Sequence, residues 1–553
     1  MLQATTNDNR LVIINSAPPL RKIITDLHNS ARSYGNNIHI PITPHTVSQL
    51  ASILKQLNQK IEPSIPKLRD VLEQFNSIDD YQAIKLMEDL PQPAVRRTDS
   101  WKHQLQAYHF ATKVKTPMFD MGVGTGKSKT TVDTIQNLTG VRRVIIAMPK
   151  YIMNDVNAWI KQFRVHGNLD YHILTLNKGS VKKRTELLVE TLKNFKKSHA
   201  TLVVLVNYDS MWREPLAEVI NKEFNEVIVF DESHRIKSHG TKVSEFAYKV
   251  ASHNEYRMCL TGTMMANSPL DVFGQFRALD VGIFGTSWMK FRAEYANLFE
   301  KDGIYMVTGY KNLDKLAAKI DKISYHASTD VLDLPEPIHD MRGFYLDSKE
   351  QKLYNELEQT FGLELNSGTL SVVNKLVLIL RLQQLTGGSV PMESDTTGET
   401  TLQRLSLSKA DLLEQVLTDL SPKEKKVVYY RFNADADAIR EKVEKLGMRY
   451  GEISGRRYDK AIWDADKVDV LALNTRSGEG IDLTAANYGI GYSFGHSLKD
   501  YEQCIGRIQR PPRTSTAYFI HLAAIGTIDE VIYNAIANKQ DIVASVEAHY
   551  KRL

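Results

Sequence analysis

Apolar runs that end in polar or acidic residues recur along this chain and predict buried strands of parallel sheets. The clearest run is Glu226–Phe230, which leads directly into Asp231. Two further runs, Val427–Tyr430 and Val468–Leu473, alternate with helical segments in the second half of the chain. Near-continuous apolar strands that alternate with helices are typical of sheets covered on both faces. The pattern therefore predicts an α/β protein.

The first 95 residues follow a different pattern of short strands and amphipathic helices. Thr43 and Pro44 suit the N-cap and first turn of a helix. The order strand, helix, strand, helix predicts a small α+β domain at residues 1–95. The two strands are expected at Leu11–Ile14 and Ile38–Ile40, and the helical faces at Leu20, Ile23, Ile24 and Leu27 and at Val47, Leu50, Ala51 and Leu54.

Helical periodicity also marks the long segment between the two halves, at Leu353–Leu365 and Val372–Leu385. Near the C-terminus, Thr527 and Glu530 have the spacing of a capping box that begins the last helix. These patterns divide the chain into four predicted parts: an accessory domain at 1–95, a first lobe at 96–280, a helical insertion and linker at 281–405, and a second lobe at 406–553.

A glycine-rich turn at residues 121–128 has the composition of a phosphate-binding loop. Glycines let such a backbone turn tightly, so that its N–H groups and the following helix N-terminus face phosphates. Lys127 is then expected to reach the β- and γ-phosphates, and the Ser128 hydroxyl to hold Mg²⁺. The remaining predicted nucleotide-binding residues of this loop are Gly122, Gly124, Thr125 and Gly126.

Asp231 and Glu232 follow their predicted strand at the sheet edge where α/β proteins bind ligands. Asp231 is placed to bind Mg²⁺, and Glu232 to orient and deprotonate an attacking water. An acidic pair after a strand can equally be a solvated turn. Its position about 100 residues after a phosphate loop favours the catalytic interpretation.

Two arginines at helical spacing, Arg507 and Arg510, lie far from the phosphate loop in the chain. Gln503 and Gly506 complete a QxxGRxxR pattern on a predicted helix around Tyr501–Arg510, which would place both guanidinium groups on one face. A phosphate loop in one half and an arginine pair in the other predict that the two halves close around one nucleotide.

With these motifs in place, the chain resembles the Swi/Snf-type ATPases of superfamily 2 over residues 100–545. The other stretches that match in order are Trp101–Gln104 (Q motif), Val144–Pro149 with Trp159 (motif Ia), Val203–Tyr208 (motif Ib), Leu260–Thr263 (motif III) and Asn474–Leu483 (motif V). The chain departs from the family pattern at Met121, where the strict loop has glycine, at Phe494–Ser497, and at Pro511 and Pro512.

The resemblance implies two RecA-like parallel-sheet lobes with helical insertions, and it implies roles for further residues. Gln104 is expected to read the adenine, and Gly480 and Asp482 to contact the nucleotide. Thr261, Thr263 and His234 are expected to couple the nucleotide site to the nucleic-acid track. ATP and Mg²⁺ are the implied cofactors.

The implied activity is that of a DNA-dependent ATPase that moves on duplex or branched DNA, in fork remodelling, branch migration or annealing. DNA is the implied partner, with recombination or replication proteins as further partners. Residues 1–95 weakly resemble the HARP-type recognition modules of annealing helicases, although a domain that only buttresses the motor fits equally well. The compact chain looks like phage or bacterial members of the family, which implies a cytoplasmic location.

Composition is compatible with this interpretation. Hydrophobic residues make up 42% of the chain, enough for globular cores, and the net charge of +5 permits a polyanionic partner without demonstrating one. The two cysteines, Cys259 and Cys504, fall in predicted buried motifs and suit a reducing compartment. No signal-peptide pattern or membrane-length apolar run is evident.

Three alternatives remain at this point. A strand-separating DNA or RNA helicase would use the same ATPase core. A P-loop kinase would need an acceptor site and would leave the arginine pair unexplained. A nucleotide-gated DNA-binding scaffold would be expected to have lost hydrolytic residues, whereas Lys127, Asp231, Glu232, Arg507 and Arg510 are all present.

Overall fold

The computed structural model describes residues 2–538 except 8, 63–64, 155–157, 197, 266–267, 302–303, 367–371, 394–399, 478–480, 496–497 and 512. The chain divides into two compact units, Met1–Val331 and Leu332–Leu553. In the described parts of the chain, no helix is long and apolar enough to span a membrane.

The first unit begins with a small α+β layer structure. Its five strands are ordered β3-β4-β2-β1-β5, and residues from three helices pack on one face. Alternate residues such as Leu11, Ile13, Ile38 and Ile40 pack on that face, as expected for half-buried strands. The elements are β1 Leu2–Asn7, β2 Arg10–Ile14, α1 Pro18–Leu27, β3 Arg32–Tyr34, β4 Asn37–Pro41, α2 Pro44–Gln56, β5 Ile61–Glu62, α3 Pro66–Asn76 and α4 Ile78–Ile84.

The predicted strand, helix, strand and helix are all present here, and Thr43 caps α2 in a capping box with Thr46. Strands β1 and β3 were not predicted, because β1 is mostly polar and β3 has only three residues, all exposed. Short polar strands lack the apolar periodicity on which sequence analysis depends.

The larger sheet of the first unit is entirely parallel, in the order β14-β6-β11-β10-β7-β9-β8. Every residue of β9 and β10 is buried, so helices must cover both faces. The elements are α5 Lys102–Val114, β6 Met118–Met121, α6 Lys127–Gln136, β7 Arg143–Met148, α7 Lys150–Asn154, α8 Trp159–His166, β8 Tyr171–Thr175, α9 Val181–Phe195, β9 Thr201–Asn207, α10 Tyr208–Met211, α11 Leu216–Glu223, β10 Val227–Asp231, α12 Lys242–Ala251, β11 Tyr256–Thr261, α13 Val272–Leu279, α14 Val281–Phe284, α15 Trp288–Tyr295, β12 Ala296–Lys301, β13 Ile304–Tyr310, α16 Leu313–Asp321 and β14 Ser324–Ala327.

The second unit is built on another parallel sheet, in the order β15-β22-β21-β18-β20-β19. Separate apolar clusters pack against it. The elements are β15 Ile338–Phe344, α17 Ser348–Asn366, α18 Val372–Thr386, β16 Ser389–Glu393, β17 Thr400–Arg404, α19 Ser408–Asp419, β18 Lys425–Tyr430, α20 Asn433–Lys445, β19 Tyr450–Ile453, α21 Lys460–Asp464, β20 Val470–Asn474, β21 Ala486–Gly491, α22 Leu498–Ile508, β22 Tyr518–Ala524 and α23 Ile528–Ala537.

The predicted boundaries at 280 and 405 differ from the sheets of the structure. Strand β14, well past residue 280, pairs in parallel with β6, and β15, well before residue 406, pairs with β22. The two sheets therefore extend into the predicted insertion from both ends. Both strands escaped prediction because β14 has four residues and β15 is mostly exposed.

Two capping and helix-end predictions also need correction. Helix α22 was predicted to carry both arginines, but it ends at Ile508. Arg507 lies in α22 and Arg510 lies beyond it, so the two guanidinium groups do not share a helix face. At α23, Thr527 accepts from the Asp529 N–H, but Glu530 accepts from the N–H of Gly526, one residue earlier than a reciprocal capping box requires.

The N-terminal layer is joined to the larger sheet's lobe through the buried carboxylate of Asp280. This carboxylate accepts hydrogen bonds from Thr43 Oγ1 and, at 2.7 Å, from His45 Nδ1, while the N–H of Gly282 donates to it at 2.8 Å. Gln49 Nε2 adds a bond to the Gly282 carbonyl at 2.7 Å. The N-cap of α2 is thus bonded to the N-cap of α14, and residues 1–95 are packed on the lobe within one compact unit.

Candidate functional site

The phosphate loop connects β6 to α6 at the carboxyl edge of the parallel sheet. Gly124 and Gly126 have φ values of +83° and +92°, a region that favours glycine. A Cβ on Gly126 would lie 2.3 Å from Gln104 Nε2, so a side chain there would displace the Gln104 amide from the loop. The glycines at these two positions are therefore required by backbone conformation and by close approach, as the motif predicts.

Lys127 lies over this loop. Its Nζ donates to the carbonyl oxygens of Met121 at 2.6 Å and Gly122 at 3.1 Å. A Cβ on Gly262, in the predicted motif III turn, would be 3.8 Å from the same Nζ. The ammonium group is bonded to neutral carbonyls that a phosphate oxygen can replace with a stronger, charge-assisted partner. Ser128 is the second residue of α6 and is half-buried. The loop therefore fits a polyphosphate.

Gln104 braces the phosphate loop from α5. Its Oε1 accepts from the Trp101 N–H at 3.0 Å, and its Nε2 donates to the Thr125 carbonyl at 3.0 Å. His103 Nε2 lies 2.8 Å from the same carbonyl, and burial lowers the pKa of this imidazole. His103 was not predicted as a site residue. The contact of Gln104 with adenine stays a prediction.

Asp231 ends β10, whose neighbour β11 lies between it and the loop strand β6. Its Oδ2 accepts from Trp159 Nε1 at 2.8 Å, and its Oδ1 from the Glu232 N–H at 3.0 Å. Burial raises the pKa of Asp231 to about 6, and the Glu232 carboxylate adds to this. The Trp159 hydrogen bond and the Lys127 ammonium act in the opposite direction. Lys127 of the phosphate loop is therefore close enough to the Asp231–Glu232 pair to affect the Asp231 pKa.

Trp159 is a residue whose contribution was missed. It begins α8, is 2% exposed, and reaches a carboxylate 72 positions away in the chain. The Tyr208 hydroxyl secures the same strand end by donating to the Asp231 carbonyl at 2.7 Å. Both residues occur in the stretches that resemble motifs Ia and Ib, so the motifs located them, but only the fold shows what they contact.

Glu232 has a left-handed backbone, with φ of +50°, which is uncommon for a residue with a side chain. Its Oε2 lies 3.4 Å from His234 Nδ1. Strained conformations of this kind cluster at functional sites. The geometry places the predicted coupling histidine next to the predicted water-activating carboxylate.

The motif III turn follows the neighbouring strand β11. Thr261 is buried, and its Oγ1 accepts from the Thr263 N–H at 3.0 Å. Gln275, on α13, accepts from Ser233 Oγ at 2.7 Å and donates to the Met264 carbonyl at 2.9 Å. Gln275 therefore links the acidic segment to the motif III segment. No sequence signal identified it.

In the second unit, the motif V and motif VI residues lie together. The Leu483 N–H donates to the Arg507 carbonyl at 3.1 Å. Burial raises the pKa of the Asp482 carboxyl, but the Arg510 guanidinium and donors from Thr484 outweigh it, so this pKa lies below its ordinary value. Burial lowers the pKa of Arg510, whose Nε is buried. Gln503 is half-buried on α22, and Gly480 lies outside the described residues.

Both halves match known protein-family models. The SNF2-related domain matches residues 45–388, and the helicase conserved C-terminal domain matches residues 408–511. The chain belongs to the SNF2-related family. This confirms the resemblance to Swi/Snf-type ATPases and the α/β fold, and it makes the protein an ATP-hydrolysing enzyme of the DNA-dependent, helicase-like class. The SNF2-related match begins inside the segment predicted as a separate accessory domain.

Among its relatives, this SNF2-related ATPase is 24% identical to protein p41 of Acyrthosiphon pisum secondary endosymbiont phage 1, over 76% of this chain and 92% of the phage protein. It is 22% identical to the uncharacterized ATP-dependent helicase MG018 of Mycoplasma genitalium, over 94% of this chain and 48% of that protein. It is 24% identical to the DNA annealing helicase and endonuclease ZRANB3 of Homo sapiens, over 60% of this chain and 30% of that protein. The chain therefore spans about half the length of the Mycoplasma protein and less than a third of the human protein.

Among solved structures, the Sulfolobus solfataricus SWI2/SNF2 ATPase core in complex with dsDNA aligns with a TM-score of 0.39 and 19% identity. The alignment covers 84% of this chain and 97% of that chain.

Proposed function

We propose that this SNF2-related ATPase is an ATP-driven translocase that acts on duplex or branched DNA, in fork remodelling, branch migration or annealing. The observation that carries the proposal is the intact hydrolytic set. Lys127 and the Asp231–Glu232 pair share one sheet edge in the first unit. Asp482 and Arg510 interact electrostatically in the second. A nucleotide-gated scaffold would have no use for both sets.

In the proposed site, Lys127 binds the β- and γ-phosphates, and Ser128 and Asp231 bind Mg²⁺. When bound, Mg²⁺ supplies charge neutralisation at the phosphate oxygens. Within the described residues, no group of three or more His, Cys, Asp or Glu side chains is placed to hold a metal. Two protein ligands suit Mg²⁺, which takes its other ligands from phosphates and water. Glu232 orients and deprotonates the attacking water.

Arg507 and Arg510 are the proposed donors that stabilise charge developing on the γ-phosphate, with Gln503 assisting them. Burial lowers the pKa of Arg510, and the Asp482 carboxylate acts in the opposite direction, which favours the charged guanidinium. Thr261, Thr263 and His234 are the proposed coupling residues. Gln275 is proposed as a further coupling residue because its hydrogen bonds link the acidic segment to the motif III segment.

DNA is the proposed partner because a relative is named a DNA annealing helicase, and because a net charge of +5 suits binding to phosphates. The phage and bacterial relatives support a cytoplasmic location. Recombination or replication proteins are proposed as further partners because they act on the same branched DNA. Residues 1–95 are proposed to stabilise the lobe on which they pack, and a role in substrate choice is compatible with that.

The test is the rate of ATP hydrolysis with single-stranded, duplex, forked and four-way DNA and with duplex RNA, at one salt concentration. The proposal predicts the strongest stimulation by duplex or branched DNA. Displacement of a third strand from a triplex then separates translocation from strand separation. Stimulation only by single-stranded DNA would favour a strand-separating helicase. A rate of ATP hydrolysis that no DNA changes would contradict the proposal.

A further inference from the structure

One part of the first unit has no role in the site described above. Strands β12 and β13 form a two-stranded antiparallel sheet that pairs with no other described strand. It follows α15 directly and precedes α16. Isolated hairpins are marginal in water, so its persistence calls for an anchor or a partner.

The base of the hairpin is anchored on the lobe. Tyr295, the last residue of α15, is fully buried, and its carbonyl accepts from the Lys311 N–H at 3.0 Å. Asn312 Nδ2 donates to the Glu294 carbonyl at 2.7 Å, and the Glu294 carboxylate pairs with Lys315 at 2.6 Å. These contacts fix where the hairpin leaves the lobe.

Beyond its base, the hairpin exposes apolar side chains on both faces. Phe299 and Met306 are cross-strand partners on one face, with 54% and 45% of their surface exposed. Tyr305 and Val307 lie on the opposite face, 47% and 41% exposed. Apolar surface exposed this far usually marks a binding site. Near the base, Leu298 on the Val307 face packs against the core of the lobe. The outer part of the hairpin, which is apolar on both faces, suits insertion between two surfaces.

The surrounding charges suit nucleic acid. Arg292 lies 5.9 Å from the centre of the Tyr305 ring, and Lys290 and Lys311 are exposed at the base. The Glu294 carboxylate is paired with Lys315. Glu300, the exposed cross-strand partner of Tyr305, adds one negative charge, which the cations Arg292, Lys290 and Lys311 outnumber. Aromatic side chains with adjacent cations are the combination on which unpaired bases stack while the cations meet phosphates.

We propose that the β12–β13 hairpin inserts at the branch point of a DNA junction, where Phe299 and Tyr305 stack on unpaired bases from its two faces. This proposal rests on the proposed function, because it assigns branched DNA as the substrate. Apolar side chains that enter between base steps unstack them, and a fixed hairpin on a moving lobe would hold the strands apart as the duplex advances.

The test uses Phe299→Ala, Tyr305→Ala and the double variant, with Leu313→Ala as the matched control. Leu313 is also exposed, at 46%, but lies in α16 outside the hairpin. A fork carrying 2-aminopurine at the branch point reports unstacking without ATP. Blunt duplex and the fork are then compared as stimulators of hydrolysis, and fork conversion is measured.

Wild type and Leu313→Ala should change the 2-aminopurine signal, and the double variant should not. Loss of one stacked base should weaken fork affinity about tenfold, while stimulation by blunt duplex and hydrolysis without DNA stay unchanged. A 2-aminopurine change produced by the double variant that equals the change produced by wild type would overturn the hairpin proposal. Loss of hydrolysis without DNA would also overturn it, since the hairpin would then belong to the motor. If DNA does not change the rate of ATP hydrolysis by wild type, but wild type still changes the 2-aminopurine signal of the fork, the proposed function alone would be contradicted.

Discussion

Replacing Trp159 by Phe should weaken Mg²⁺ use by the enzyme in a pH-dependent way. The indole N–H donates to Asp231 Oδ2 at 2.8 Å in a buried setting, and phenylalanine keeps most of the ring while removing this donor. The Glu232 N–H, at 3.0 Å from Oδ1, remains. The change therefore acts on one hydrogen bond to a carboxylate whose pKa is already raised to about 6.

The magnitude follows from that bond. A hydrogen bond to a charged group contributes about 1.5–3 kcal/mol, which corresponds to a further rise of about one to two pKa units for Asp231. A protonated carboxyl must lose its proton before it binds Mg²⁺. The half-saturating Mg²⁺ concentration should therefore rise about 3- to 25-fold at about pH 6.5 and approach the wild-type value near about pH 9.

The assay is DNA-stimulated ATP hydrolysis as a function of Mg²⁺ at both pH values, with Mg²⁺–ATP binding by calorimetry as a second readout. Trp288→Phe is the control, since Trp288 stacks on His239 and does not bond Asp231. An unchanged Mg²⁺ requirement at both pH values would refute the reasoning. An equal increase in the Mg²⁺ requirement at both pH values would show that Trp159 acts through packing only.

Two further predictions concern catalysis and stability. Arg510→Ala should lower the maximal hydrolysis rate by about 10³- to 10⁵-fold with little change in ATP affinity; a normal rate with a raised Michaelis constant would make Arg510 a binding group. Asp280→Ala should lower the free energy of unfolding by about 3–5 kcal/mol, because it leaves the buried donors of Thr43 and His45 without their acceptor. Burial raises the pKa of Asp280, but His45 and the donors from Thr43 and Gly282 outweigh it, so this pKa lies below its ordinary value in the folded protein. The stabilisation by Asp280 is therefore present above the ordinary value of 3.8 and is lost as the pH falls below it. Denaturant titration at about pH 7 and pH 3 tests this, and an equal difference at both would contradict it.

Residues that act through local chemistry were predictable from the sequence. The phosphate loop, the Asp231–Glu232 pair and the Thr43 cap each depend on a few consecutive residues, and the structure has the expected backbone at each. The loop backbone has positive φ at Gly124 and Gly126, a conformation that favours glycine. The positions of the glycines in the sequence therefore predict the conformation of the loop.

Contacts between distant segments were not predictable. Trp159 meets Asp231 across 72 positions, and His45 meets Asp280 across 235. The second contact changes how residues 1–95 are understood, because their removal would expose the Asp280 carboxylate and its neighbours. Deletion of this segment is therefore expected to destabilise the lobe, and substitutions on its exposed surface are the better probe of substrate choice. The strands at either end of the predicted insertion were missed because they are short or exposed.

The most direct test of the central claim is ATP hydrolysis with and without duplex DNA, in wild type and in Lys127→Ala. Lys113→Ala, an exposed lysine on α5, serves as the control. The account predicts hydrolysis that duplex DNA stimulates in wild type and in the control. In Lys127→Ala, hydrolysis should be absent while DNA binding without nucleotide is retained. Substantial hydrolysis by Lys127→Ala, or a wild-type rate that DNA does not change, would contradict the account.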